Sequence, residues 1–191
     1  MNRVCITGIF LLAGVVAVPA SARAEGFLVP FIGYNFGGDS GNCPSLNNCT
    51  DKHTNFGVSI GSMGTVFGLE EDFSYASNFF GDVPAADNSV FSAMTNVLAG
   101  VGVGPIRPYV LAGVGLIRPH VSSVTSSIAL SSDNNSFGYD IGGGLTVSIA
   151  PHIGIRGDIR HLHTMENVNL LFISGQRLDF NRASVGLALR F

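Results

Sequence analysis

Hydrophobic and polar positions alternate with a period of two along most of this 191-residue chain. The final stretch, Asn181 to Phe191, is the clearest case. Ala183, Val185, Leu187, Leu189 and Phe191 fall on one face of an extended strand, and Arg182, Ser184, Gly186, Ala188 and Arg190 on the other. One face is wholly apolar; the other is small, polar or cationic. A soluble barrel turns its bulky apolar face inward. Here the Gly, Ser and Arg face suits a crowded interior, so the Val, Leu and Phe face is expected to point outward, into lipid.

The same reading predicts eight strands, over residues 27–36, 53–63, 66–77, 89–103, 106–117, 136–149, 152–163 and 180–191. The links between them alternate in length. Residues 37–52, 78–88, 118–135 and 164–179 are long and polar, whereas the links at Gly64, Gly104-Pro105 and Ala150-Pro151 are tight. An even strand count with alternating short and long links predicts an all-β, up-and-down antiparallel transmembrane barrel. Its short turns would be periplasmic and its long loops extracellular.

The faces of the other strands agree. Phe137, Tyr139, Ile141, Leu145, Val147 and Ile149 oppose Gly138, Asp140, Gly142, Gly144, Thr146 and Ser148. Ile153, Ile155 and Ile159 oppose Arg156, Asp158 and Arg160. Outward aromatics gather at the extracellular ends of the strands: Tyr34, Phe36, Phe56, Phe73, Tyr75, Phe91, Phe137 and Tyr139. This is the placement of an interfacial girdle. Glu71 breaks the pattern, because it shares the lipid face with Leu69 and Phe73. A bulge near Glu70-Glu71 or a partner subunit would account for it.

Composition narrows the class. Charged residues make up only 12% of the chain, about half the share of an ordinary soluble domain. A net charge of −3 supplies no basic surface, so nucleic-acid binding has no support. Residues 1–24 read as a cleaved secretory signal, with Arg3, an apolar run from Ile6 to Val18, and Ala22-Arg23-Ala24 as the cleavage site. Residues 25–191 then form the barrel domain. Cys43 and Cys49 remain as an even pair in an exported chain, which predicts a disulfide in the first long loop.

An eight-stranded barrel has room inside for side chains or one small ligand. The inward set includes Glu70, Asp72, Asp140 and Asp158 against Arg156, Arg160 and Arg182, with Arg107 and Arg190 on the same face. Buried charges must be paired, so these residues are expected to form an ion-pair network that plugs the lumen. The network is read either as a satisfied barrel core or as a gated polar path. A wide diffusion pore is excluded by strand number. His161 and His163, one residue apart on one strand face with Glu166 near, are candidates for metal binding or for bland interfacial polar residues. No resident cofactor or metal and no enzymatic activity are expected.

Several segments carry a family resemblance: Pro30 to Tyr34, Pro108 to Gly115, Phe137-Gly138-Tyr139, Gly142-Gly143-Gly144 and the terminal Arg190-Phe191. Together they resemble the small outer-membrane β-barrels that include the transmembrane domain of outer-membrane protein A and the opacity-type proteins. The resemblance implies a bacterial outer-membrane location, contact with lipid and lipopolysaccharide, and a structural or surface-interaction role with an extracellular ligand or host surface. It also implies that Val185, Leu187, Leu189 and Phe191 form the signal read by the barrel-assembly machinery. A monomer is expected. The alternatives are a narrow gated channel and a lipid A-modifying hydrolase. Such hydrolases place a serine two residues after the histidine, where this chain has His163.

Overall fold

The computed structural model describes residues 24–38, 40, 53–79, 86–125, 128–133, 135–165, 168–170 and 173–191. Among these the strands are β1 (Glu25–Phe36), β2 (Thr54–Met63), β3 (Phe67–Ser77), β4 (Ala86–Gly100), β5 (Ile106–Thr125), β6 (Ile128–Asp133), β7 (Ser136–Ala150), β8 (Ile153–Thr164), β9 (Val168–Leu170), β10 (Ile173–Gln176) and β11 (Asp179–Arg190). Eight of them form a closed antiparallel ring in the order β1-β2-β3-β4-β5-β7-β8-β11. The ring closes where β11 pairs with β1, with Leu28 opposite Leu189 and Phe31 opposite Gly186. Closure leaves the eight-stranded ring itself without an open edge, the only arrangement of strands that satisfies backbone polar groups in hydrocarbon.

Tight links sit at one end of the ring. Residues 64–66 join β2 to β3, 101–105 join β4 to β5, and 151–152 join β7 to β8. In the second, Val103 and Ile106 exchange backbone hydrogen bonds around Gly104-Pro105. Gly104 takes a left-handed φ of 60°, which a side chain would disfavour.

Two of the expected loops contain further strands. β5 runs on to Thr125, and its far end folds into a hairpin with β6, pairing Val121 with Ser132 and Thr125 with Ile128. β4 also begins earlier than its sequence suggests, because Ala86 to Asn88 pair with Val121 to Ser123. A serine-rich segment, Ser122-Ser123 and Ser126-Ser127, hides the β-branched residues that continue the ladder. In the loop after β8, β9 and β10 form a small separate hairpin. At its other end β4 stops at Gly100 rather than at residue 103, since β3 offers no partner beyond Phe67.

The outward face is apolar. Ile32, Phe56, Val97, Val110, Ile141, Ile159 and Val185 are all exposed. Tyr34, Phe56, Tyr75, Phe91 and Phe137 lie exposed toward the long-loop ends of their strands. Glu71 does lie on this face, without a bulge: the β3 ladders to β2 and β4 run unbroken through it. Its carboxylate accepts hydrogen bonds from the Thr95 hydroxyl of β4 at 2.9 and 3.0 Å. Phe67 and Tyr75 each stand four residues away on the same face, so Glu71 sits midway along the apolar band.

The interior is layered rather than uniformly polar. One apolar cluster, with Phe79, Val90, Met94, Ile117, Leu162 and Phe180, occupies the long-loop end. A second, with Phe27, Val29, Met63, Leu98, Leu111 and Ala188, occupies the short-turn end. Buried charges lie between them. The sequence-based expectation of a lumen filled by glycine, serine and ion pairs is corrected to that extent.

A carboxylate at the middle of the lipid face is unfavourable even with a hydroxyl partner. Glu71→Leu is therefore expected to raise stability by about 1 kcal/mol. Urea unfolding in bilayers, followed by far-ultraviolet circular dichroism because the chain has no Trp, checks this.

Candidate functional site

The inward positions of β3, β7, β8 and β11 place seven charged side chains in the middle of the lumen. Arg160 is the hub. Its guanidinium lies 2.9 Å from Glu70, 3.1 Å from Asp158, 3.4 Å from Asp72 and 3.6 Å from Asp140. Arg156 pairs with Glu70 at 2.6 Å and with Asp158 at 3.4 Å. Arg182 donates to Asp72 at 2.8 Å. All seven are almost completely buried.

The topology gives these pairs their meaning. β3 and β8 stand four places apart in an eight-membered ring, so they face each other across it. The bonds from Arg156 and Arg160 to Glu70 and Asp72 therefore span the barrel's diameter. Arg107 and Arg190 share the inward face but stay at the short-turn mouth, where Arg190 lies 3.7 Å from Glu25.

Neutral groups that the sequence reading did not single out complete the network. Tyr109 accepts a hydrogen bond from Arg156 Nε at 2.6 Å and donates to Asp158 at 2.8 Å. Ser59 donates to Asp72, Ser184 to Asp158, and Asn96 to Glu70. Arg156 lies against the rings of Tyr109 and Phe27, and Arg182 against that of Phe31, placing cations on aromatic faces. The backbone makes room: a side chain at Gly144 would strike the Tyr109 hydroxyl and the Asp158 Cβ, each 2.6 Å from its added carbon. The available signal was phase alone, since these residues occupy inward positions of their strands.

Four carboxylates meet three guanidinium groups, so the stoichiometry is unequal. Asp140 is the least supported acid. Its oxygens receive no hydrogen bond from a described residue, and Arg160 stands 3.6 Å away.

A recess of about 100 Å³ opens at the short-turn end between Phe27, Met63, Leu98 and Arg107. It reaches Arg156 and Tyr109, members of the network. Beyond the network the Phe79 and Phe180 rings pack edge to face with centroids 4.8 Å apart.

The other candidates lie elsewhere. His161 and His163 point outward near the long-loop end of β8, with Asp179 of β11 beside them. Val185, Leu187 and Phe191 are exposed on the outer wall, and Leu189 is half-buried. Cys43, Cys49, Glu166 and residues 1–23 lie outside the described residues.

The model of the outer membrane protein beta-barrel domain matches residues 8–191. The chain belongs to that family. Solved outer-membrane barrels share its architecture. A major outer membrane protein of Thermus thermophilus is 12% identical with a TM-score of 0.59, over 88% of this chain and all of that one. Neisserial surface protein A is 15% identical with a TM-score of 0.58, over 87% of this chain and 95% of that one. The attachment invasion locus protein Ail of Yersinia pestis, solved with the heparin analogue sucrose octasulfate, is 14% identical with a TM-score of 0.53, over 88% and 99%. No curated protein sequence matches the chain. This outer-membrane barrel resides in the bacterial outer membrane, with its apolar wall against lipid.

Removing one member of a buried ion pair strands its partner's charge, typically at a cost of about 3–5 kcal/mol. Arg160→Ala and Asp72→Asn are expected to lower the barrel's stability by about that amount. Asp140→Asn, which relieves the excess of acid, should change it by about 1 kcal/mol or less. Urea midpoints in detergent micelles check the ranking. Equal losses for Asp72→Asn and Asp140→Asn would contradict it.

Proposed function

We propose that this outer-membrane barrel is a non-enzymatic surface-interaction protein whose long loops carry recognition and whose lumen carries no solute flux. The diametral ion-pair network supports this reading most strongly. Arg156, Arg160, Glu70 and Asp72 span the interior, and an apolar cluster lies on either side of them. A solute crossing the barrel would have to break several of these pairs together and leave charges unsolvated.

Recognition is then left to the extracellular end, where rigid scaffolds generally carry variable binding loops. The β5–β6 hairpin extends that end beyond the barrel wall. The fold shared with Ail, itself solved with a heparin analogue, fits a surface role. In this reading residues 1–24 direct export and are removed. Cys43 and Cys49 staple the first long loop by a disulfide. Val185, Leu187, Leu189 and Phe191 guide assembly by the barrel-assembly machinery. The mature chain then stands as a monomer among lipid and lipopolysaccharide, and its loops meet an extracellular ligand or host surface.

Single-channel recording in planar bilayers tests the closed lumen. The expected trace is silent at all applied voltages, whereas discrete, reproducible opening steps would favour a gated channel. An epitope inserted between Cys43 and Cys49 tests the loop placement. It should bind antibody on intact cells, and detection only after permeabilisation would reverse the orientation.

A further inference from the structure

His161 and His163 lie on the outer wall of β8, and Asp179 stands directly opposite His163 in the β8–β11 ladder. One donor atom from each of these three residues lies within 4.8 Å of the other two. We propose that they form a binding site for a divalent transition-metal ion of the zinc class on the outer wall of the barrel at its extracellular rim.

The distances match the chemistry. In a tetrahedral zinc site with ligand bonds of about 2.0–2.1 Å, adjacent donor atoms stand about 3.3 Å apart. Asp179 Oδ2 lies 3.2 Å from His163 Nδ1 and 3.6 Å from His161 Nε2. The carboxylate oxygen thus already sits one tetrahedron edge from both imidazoles. Two imidazoles and a carboxylate are a zinc-type donor set that leaves a fourth position for water.

The surroundings hold the donors in place. Asn181, opposite His161 in the same ladder, sets its Oδ1 3.2 Å from His161 Nδ1. An N–H at Nδ1 donating to that oxygen fixes the tautomer that leaves the Nε2 lone pair for the metal, as outer-shell partners of metal-bound histidines do. The His163 ring rests against Tyr139, with centroids 5.4 Å apart. The two imidazole rings are nearly parallel, 21° apart. All three donors keep partial exposure, between 21% and 42%, so an ion can reach them from the aqueous boundary. β8 and β11 are consecutive members of the ring, so the ion would bridge two wall strands.

Titration of tag-free barrel from outer membranes with zinc chloride, followed calorimetrically in a non-chelating detergent, tests the site. The expected result is one saturable ion per barrel. Its affinity should fall at least tenfold in Asp179→Asn and binding should be lost in the His161→Ala/His163→Ala double variant, while His120→Ala and His152→Ala leave it unchanged. No saturable binding, or binding that survives the double variant, would overturn the proposal. Electron paramagnetic resonance of the unmutated barrel loaded with one equivalent of copper(II) gives a readout independent of variant folding. Couplings from two equatorial imidazole nitrogens are expected, and their absence would count against the site.

Discussion

Arg160 holds four carboxylates from three strands around one guanidinium in a space that lipid surrounds and apolar side chains cap. A charge there cannot be left alone, so the positions of Glu70, Asp72, Asp140 and Asp158 are fixed by each other as much as by their own strands. Because β3 and β8 oppose each other across the ring, the same contacts cross the lumen from wall to wall. A buried ion-pair network is weak evidence for stability, since well-packed apolar residues often do as well. What it does here is join β3 to β8 across the lumen through Arg156, Arg160, Glu70 and Asp72.

The two apolar clusters give the network its setting. Met94, Ile117, Leu162 and Phe180 cover one side, and Phe27, Val29, Leu98 and Leu111 the other. Where these side chains exclude water, the pairs sit in a low local dielectric, in which each contact is stronger and each missing partner more costly; the recess at the short-turn end reaches only Arg156 and Tyr109 of the network. The wall obeys a different solvent. Its exposed isoleucines, valines and phenylalanines match hydrocarbon, with tyrosine and phenylalanine near the headgroups. Glu71 is an exception on that wall, eased by Thr95, and the histidine-aspartate cluster lies toward the polar rim.

The period of two carried most of the fold because it is a direct consequence of strand geometry. The eight strands of the ring, the face of Val185 and Leu187, and the inward placement of Asp72 and Arg160 all follow from it. The limits are equally physical. In β4 both faces contain apolar residues, Val90, Met94 and Leu98 inward and Phe91 and Val97 outward, so alternation could not reveal the caps. Tyr109 shows in the sequence only as an inward position of β5, and its bonds to Arg156 and Asp158 depend on β5 and β8 flanking β7. The β5–β6 hairpin lay hidden beneath serines that resemble loop composition. Asp179 lies sixteen residues beyond His163, and only the β8–β11 register brings them together.

The inside-out arrangement of the wall is the claim on which the rest stands, and spin labels placed singly from Ala183 to Leu189 in lipid bilayers test it most directly. Accessibility to oxygen, which partitions into hydrocarbon, should peak at Ala183, Val185, Leu187 and Leu189 and drop at Ser184, Gly186 and Ala188. A flat profile, or peaks on the second set, would contradict the account.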